Sequence, residues 1–95
     1  MTFDQIHAQR EIILSLAARH GARNVRVFGS AARGTPVESS DIDLLVDLDP
    51  DRTLLDLGGL LMDVQSAMGV RVDVAMERML RPEVRARALA EAIPL

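Results

Sequence analysis

Asp41 and Asp43 flank a single apolar residue in the run Asp41-Ile42-Asp43-Leu44-Leu45-Val46. In an extended chain, residues i and i+2 project from one face about 6.6 Å apart, so the two carboxylates stand side by side. Such a pair repels unless a cation lies between its members, and oxygen-only donors suit a hard ion, Mg2+ or Mn2+, rather than zinc. Asp73 has the same phase in a later alternating run, Val70-Arg71-Val72-Asp73-Val74. If the two runs are neighbouring strands, three carboxylates converge, the donor set of metal-assisted phosphoryl or nucleotidyl transfer. Taken alone, alternating acids are more often the solvated face of a sheet.

The residues upstream favour the chemical reading. Val25-Arg26-Val27-Phe28 alternates as a strand and runs into Gly29-Ser30-Ala31-Ala32-Arg33-Gly34. A strand that ends in glycine and a helical turn leaves backbone N–H groups aimed at whatever sits above the strand end, an anion site. Gly29 lets the backbone approach a phosphate, Ser30 adds a hydroxyl, and Arg33 is placed to pair with a phosphate or to fix the loop. Gly29 and Gly34 have P-loop spacing, but Thr35 stands where the lysine must be. Asp47, Asp49 and Asp51 imitate an EF-hand, yet Arg52 replaces its turn glycine and Gly58 its final glutamate. His7 and His20 read as surface groups of the first helix, since no acid cluster accompanies them at metal spacing.

The elements that must hold these residues follow from periodicity. Ile6, Ile13, Leu16 and Ala17 predict one amphipathic helix from about Thr2 to His20, stopped by Gly21. The strand over 25–28, a short helical turn with a loop over 31–40, and the acid-bearing strand from Asp41 come next. Leu54, Leu57, Leu61, Val64 and Met68 predict a second long helix, with Thr53 and Asp56 as a capping box and Gly69 as its stop. Within it, Gly58-Gly59 costs about 1 kcal/mol per residue relative to Ala, which implies either close packing or local weakness. A strand over 70–74 and a helix opened by Pro82 and running to about Ala92 complete the chain. The expected fold is α+β, or layered α/β: one domain, residues 1–95, with a small mixed sheet of three to four strands covered by helices.

Composition narrows the function. At 95 residues, 48% hydrophobic and 26% charged, the chain can build a core of its own. A net charge of -3 argues against a broad grip on free duplex nucleic acid, and 2% aromatic residues remove single-strand stacking platforms. Every basic residue is Arg, so Schiff-base chemistry is excluded, and Cys 0 removes thiolate nucleophiles and thiolate metal sites. No apolar run is long enough to span a bilayer, and the expectation is a cytoplasmic protein with no membrane attachment.

Gly29-Ser30-Ala31-Ala32-Arg33-Gly34, then Ser40-Asp41-Ile42-Asp43-Leu44, then Asp73, resembles the signature of the polymerase-beta nucleotidyltransferase superfamily. The short chain and its ending, Glu91-Ala92-Ile93-Pro94-Leu95, are similar to the minimal nucleotidyltransferases (MNT) of bacteria and archaea. The resemblance implies that Gly29 and Ser30 bind the triphosphate of ATP, with Arg33 and Ser40 as further motif members at the nucleotide. It implies that Asp41 and Asp43 ligate two Mg2+, with Mn2+ as an alternative. Asp73 is then the third carboxylate, sharing one metal and helping to deprotonate the attacking hydroxyl.

MNT proteins are commonly antitoxins of a HEPN-domain ribonuclease toxin, and members transfer AMP from ATP to a tyrosine of that toxin (AMPylation). This chain contains no Tyr, so a tyrosine acceptor must come on another protein. Transfer to a small molecule such as an aminoglycoside is disfavoured, because such enzymes add a domain for the acceptor. The rival expectation is an antitoxin that neutralises its partner by binding alone. Homo-oligomerisation is left open.

Overall fold

The computed structural model describes residues 1–33 and 41–95, and of Ser30 and Arg33 the backbone only. The chain begins with two helices where the apolar period predicts one. Helix α1 (Phe3–Ala8) starts at Thr2, whose hydroxyl accepts from the Gln5 backbone N–H while the Gln5 side chain accepts from the Thr2 N–H. At Gln9 the backbone leaves helical geometry (φ -105°, ψ 16°), and α2 (Arg10–Arg19) restarts from it. The period survives the break, and Ile6 and Ile13 are both fully buried.

After α2, Gly21 adopts φ +71°, and strand β1 (Ala22–Phe28) follows. A short helix, α3 (Gly29–Arg33), leaves its end. Strand β2 (Ile42–Leu48), helix α4 (Leu54–Met68), strand β3 (Val72–Ala75), a 3-10 turn (Glu77–Met79), helix α5 (Pro82–Glu91) and strand β4 (Ile93–Pro94) complete the order. Helix α4 has the expected limits. Thr53 and Asp56 form the reciprocal capping box, and Gly69 closes the helix in the left-handed conformation.

The sheet has four strands in the order β3-β2-β1-β4, so the architecture is mixed α+β as expected. β1 runs antiparallel to both β2 and β4, while β2 and β3 are parallel. Parallel neighbours need a crossover, and α4 supplies it. The two-residue β4 has no periodic signature and exists because β1 offers it an edge: Leu95 N–H donates to the Val25 carbonyl at 2.9 Å.

The two faces of the sheet differ. Val27, Ile42, Leu44, Val46, Val72 and Val74 point into the main core, packed under Ile6, Ile13 and Ala17 and under Leu57, Leu60 and Val64 of α4. The opposite face carries Arg26, Asp43, Leu45, Asp47, Asp73 and Ala75. It is not uniformly polar: Leu45 is fully buried there. The 3-10 turn lies against β2, and α5 against β1 and α3, covering that part of the face. Among the described residues no helix is long and apolar enough to cross a membrane.

Candidate active site

The strand adjacency that the carboxylates require is present. In the parallel β2–β3 pair, Asp43 stands directly opposite Asp73, about 4.8 Å away across the ladder. Asp41 immediately precedes β2, and its backbone N–H donates to the Arg71 carbonyl at 3.0 Å; the Ile42 N–H donates to the same oxygen at 3.2 Å. These bonds fix the entry of β2 against β3 and set Asp41 two residues before Asp43. Asp41 and Asp43 are half-buried, and Asp73 is exposed.

On the other flank of β2, Phe28 is the register partner of Asp43, and β1 turns there into α3 through Gly29. Gly29 has φ +74°, a left-handed backbone, and a Cβ built on it would collide with the Asp43 carboxylate. The glycine is therefore needed by the fold itself: it lets the turn pass against the acid. The sequence assigns Gly29 to phosphate approach; the packing against Asp43 is a second and independent demand. Ser30 and Arg33 follow in the backbone of α3. With five residues α3 has only a slight macrodipole, so any anion affinity there belongs to the backbone N–H groups of its first turn. Ser40 lies outside the described residues.

Further along this face sits a group that motif reading does not find. Arg26 is a charged side chain only 10% exposed. Its guanidinium donates to Asp47 at 3.3 Å, to Glu77 at 3.2 Å and to the Asn24 carbonyl at 3.0 Å. Arg23 extends the cluster to Asp49 at 3.1 Å. Asn24, at φ +52°, forms the bulge in β1 that makes the turn of register between Arg23 and Arg26. The available signal was the shared phase of Asp43, Leu45 and Asp47, but Glu77, the second carboxylate on Arg26, comes from the 3-10 turn, which has no periodicity to read.

The first-helix histidines are less exposed than expected. His20 is 18% exposed and bonds Asp63 of α4 at 2.7 Å, its ring lying against Gly59. His7 is half-buried and stacks on Phe3, ring centroids 5.6 Å apart. Neither joins a group of metal-ligating side chains among the described residues. An open cleft of about 510 Å³ between α1 and the end of α4, lined by Met1, Gln5, Gln9, Met68 and Val70, carries no acid, base or nucleophile.

Among the described residues no three His, Cys, Asp or Glu side chains are gathered closely enough to hold a metal ion. The donor chemistry nonetheless fits Mg2+: Asp41, Asp43 and Asp73 offer carboxylate oxygens alone, on one edge, with no imidazole among them.

Residues 9–95 match the family model described as nucleotidyltransferase domain. A candidate protein adenylyltransferase of Methanocaldococcus jannaschii, MJ0435, is 36% identical over 81 residues, which is 85% of this chain and 87% of that protein. Protein adenylyltransferase MntA of Thermococcus cleftensis is 36% identical over 78 residues, 82% of this chain and 79% of its own. A solved candidate minimal nucleotidyltransferase superposes with a TM-score of 0.83 at 53% identity, covering 100% of this chain and 97% of that one. A toxin-antitoxin crystallised with AMP-PNP shares the fold (TM-score 0.69, 21% identity, 86% of this chain and 68% of that one). A family match over almost the whole chain, relatives named as adenylyltransferases, and the placement of Asp43 against Asp73 lead to one conclusion: this chain belongs to the nucleotidyltransferase domain family and is a nucleotidyltransferase enzyme of the minimal kind.

Proposed function

We propose that the protein transfers AMP from ATP to a hydroxyl of a partner protein, a tyrosine of a HEPN-domain toxin, and acts as the antitoxin of that pair. The register match of Asp43 with Asp73, flanked by the Gly29 turn, carries this reading. The adenylyltransferase names of the two archaeal relatives support a protein acceptor, and the fold neighbour crystallised as a toxin-antitoxin with AMP-PNP supports the donor and the type of partner.

In the proposed reaction the acceptor oxygen attacks the α-phosphorus of ATP, the bond from that phosphorus to the bridging oxygen breaks, and pyrophosphate leaves with the electron pair. The backbone of Gly29 and Ser30, with Arg33 and Ser40, holds the triphosphate so that its α-phosphorus lies over β2. Asp73, the most exposed of the three acids, takes the proton of the acceptor hydroxyl. Asp41, Asp43 and Asp73 would hold Mg2+, which when bound supplies Lewis-acid stabilisation of the phosphoryl oxygens. Orientation and charge placement are the protein's main contribution in such transfers.

Coexpression with the HEPN-domain toxin in growing cells tests the reading. The expected result is that the wild-type chain restores growth while the Asp41→Asn, Asp43→Asn double variant, folded by circular dichroism, does not. Restoration of growth by the double variant would instead mean neutralisation by binding alone.

A further inference from the structure

We propose that Arg71 binds the acceptor: its guanidinium holds a carboxylate that flanks the hydroxyl receiving AMP. The proposal rests on the transfer reading above and names the side of the site on which the acceptor sits.

Arg71 immediately precedes β3, and its carbonyl receives the two N–H bonds that open β2, from Asp41 and Ile42. In the parallel register it lies beside Asp41, as Asp73 lies beside Asp43. Val70, Val72 and Val74 all pack toward the main core, so Arg71 and Asp73 belong to the acid-bearing face. Arg71 is exposed, and among the described residues it makes no ion pair. Arg23, Arg26 and Arg52 differ in this respect, each being paired to a carboxylate.

The strand order then assigns the direction. In the order β3-β2-β1, the Gly29–Ser30 turn is on the β1 side of the acids and Arg71 is on the β3 side. In-line displacement puts the leaving pyrophosphate and the attacking oxygen on opposite sides of the α-phosphorus. A triphosphate tail held at Gly29–Ser30 leaves the β3 side for the acceptor, and Arg71 stands there. The face it shares is acidic, and the chain carries a net charge of -3. On that face a single carboxylate of the acceptor is repelled beside the acids and attracted at Arg71. A planar guanidinium matches a carboxylate bidentately, which also fixes orientation.

The test uses Arg71→Ala, Arg71→Gln and Arg71→Lys in the full chain, each checked for folding by circular dichroism. Affinity for AMP-PNP with Mg2+ is measured by calorimetry, and KM and kcat for AMP transfer are measured with the purified HEPN-domain toxin as acceptor. The expected result is a rise of about tenfold in acceptor KM for Arg71→Ala and Arg71→Gln, the size of a lost charged hydrogen bond. Arg71→Lys recovers part of the loss, and AMP-PNP affinity and kcat stay within about twofold of wild type. A fall in AMP-PNP affinity would overturn the proposal by placing Arg71 on the triphosphate. An unchanged acceptor KM, or recovery by Gln equal to that by Lys, would also overturn it. Wild-type protein that binds AMP-PNP but transfers nothing to the toxin would remove the transfer reading itself, a result distinct from normal transfer by Arg71→Ala.

Discussion

Gly29 and Arg26 each hold part of the acid-bearing face in place. Gly29 combines a left-handed backbone with a hydrogen atom where any Cβ would meet the Asp43 carboxylate. Gly29→Ala is expected to lose about 1–2 kcal/mol from backbone conformation alone, and to displace Asp43 as well. Urea denaturation reads the first effect, and AMP transfer by the surviving folded fraction reads the second. Arg26 sits deeper on the same face, nearly buried, with Asp47 and Glu77 as partners that are themselves about a third or more exposed. Arg26→Met is expected to cost about 2–3 kcal/mol in urea denaturation, less than a fully buried pair because water still reaches both carboxylates. The acids were legible from the sequence because strand alternation fixes which side chains share a face. Arg26 was not, because its partners are brought to it by a bulge at Asn24 and a 3-10 turn, neither of which has a period.

At the scale of elements, α4 tests the reading of its two glycines. Gly58 faces open space, with nothing within 4 Å of a built Cβ, and its φ is not positive. Gly58→Ala is expected to stabilise the protein by about 0.5–1 kcal/mol through helix propensity. At Gly59 a built Cβ comes within 2.8 Å of the His20 ring, which Asp63 holds in place at 2.7 Å. Gly59→Ala is expected to destabilise, so the paired glycines split, one local weakness and one close approach; thermal unfolding of the two variants checks the opposite signs. The cap of the same helix carries a pH signature. The Asp56 carboxyl lies below its ordinary pKa, first because it accepts from the Thr53 backbone N–H, with Arg52 adding a favourable charge. A lowered folded-state pKa means that the contribution is complete above the ordinary carboxylate range and disappears as pH falls through the folded value. The stability difference between wild type and Asp56→Asn, followed by urea denaturation, is therefore expected to shrink below about pH 4. The capping box and the Gly69 stop were legible because they are short-range chemistry. The break at Gln9 was not, since glutamine is a good helix former and the apolar period runs through it undisturbed.

Across the whole molecule, order in the sheet converts scattered residues into one edge. Asp41, Asp43, Asp73 and Arg71 come from segments separated by the α4 crossover, and the parallel β2–β3 register alone sets them along one edge. That register was an assumption when read from alternation, because a pattern of period two specifies faces but not neighbours. Strand phase alone carried Asp73 as the third acid, and the parallel β2–β3 pairing supplies the neighbour. The activity proposed for this edge is AMP transfer to a protein. The most direct measurement is intact mass spectrometry of the HEPN-domain toxin after incubation with this protein, ATP and Mg2+, beside the Asp41→Asn, Asp43→Asn double variant. The expected result is a mass gain in whole AMP units with the wild-type chain, abolished by chelation of Mg2+ and absent with the double variant. An unmodified toxin held in a stable complex by both versions would contradict it.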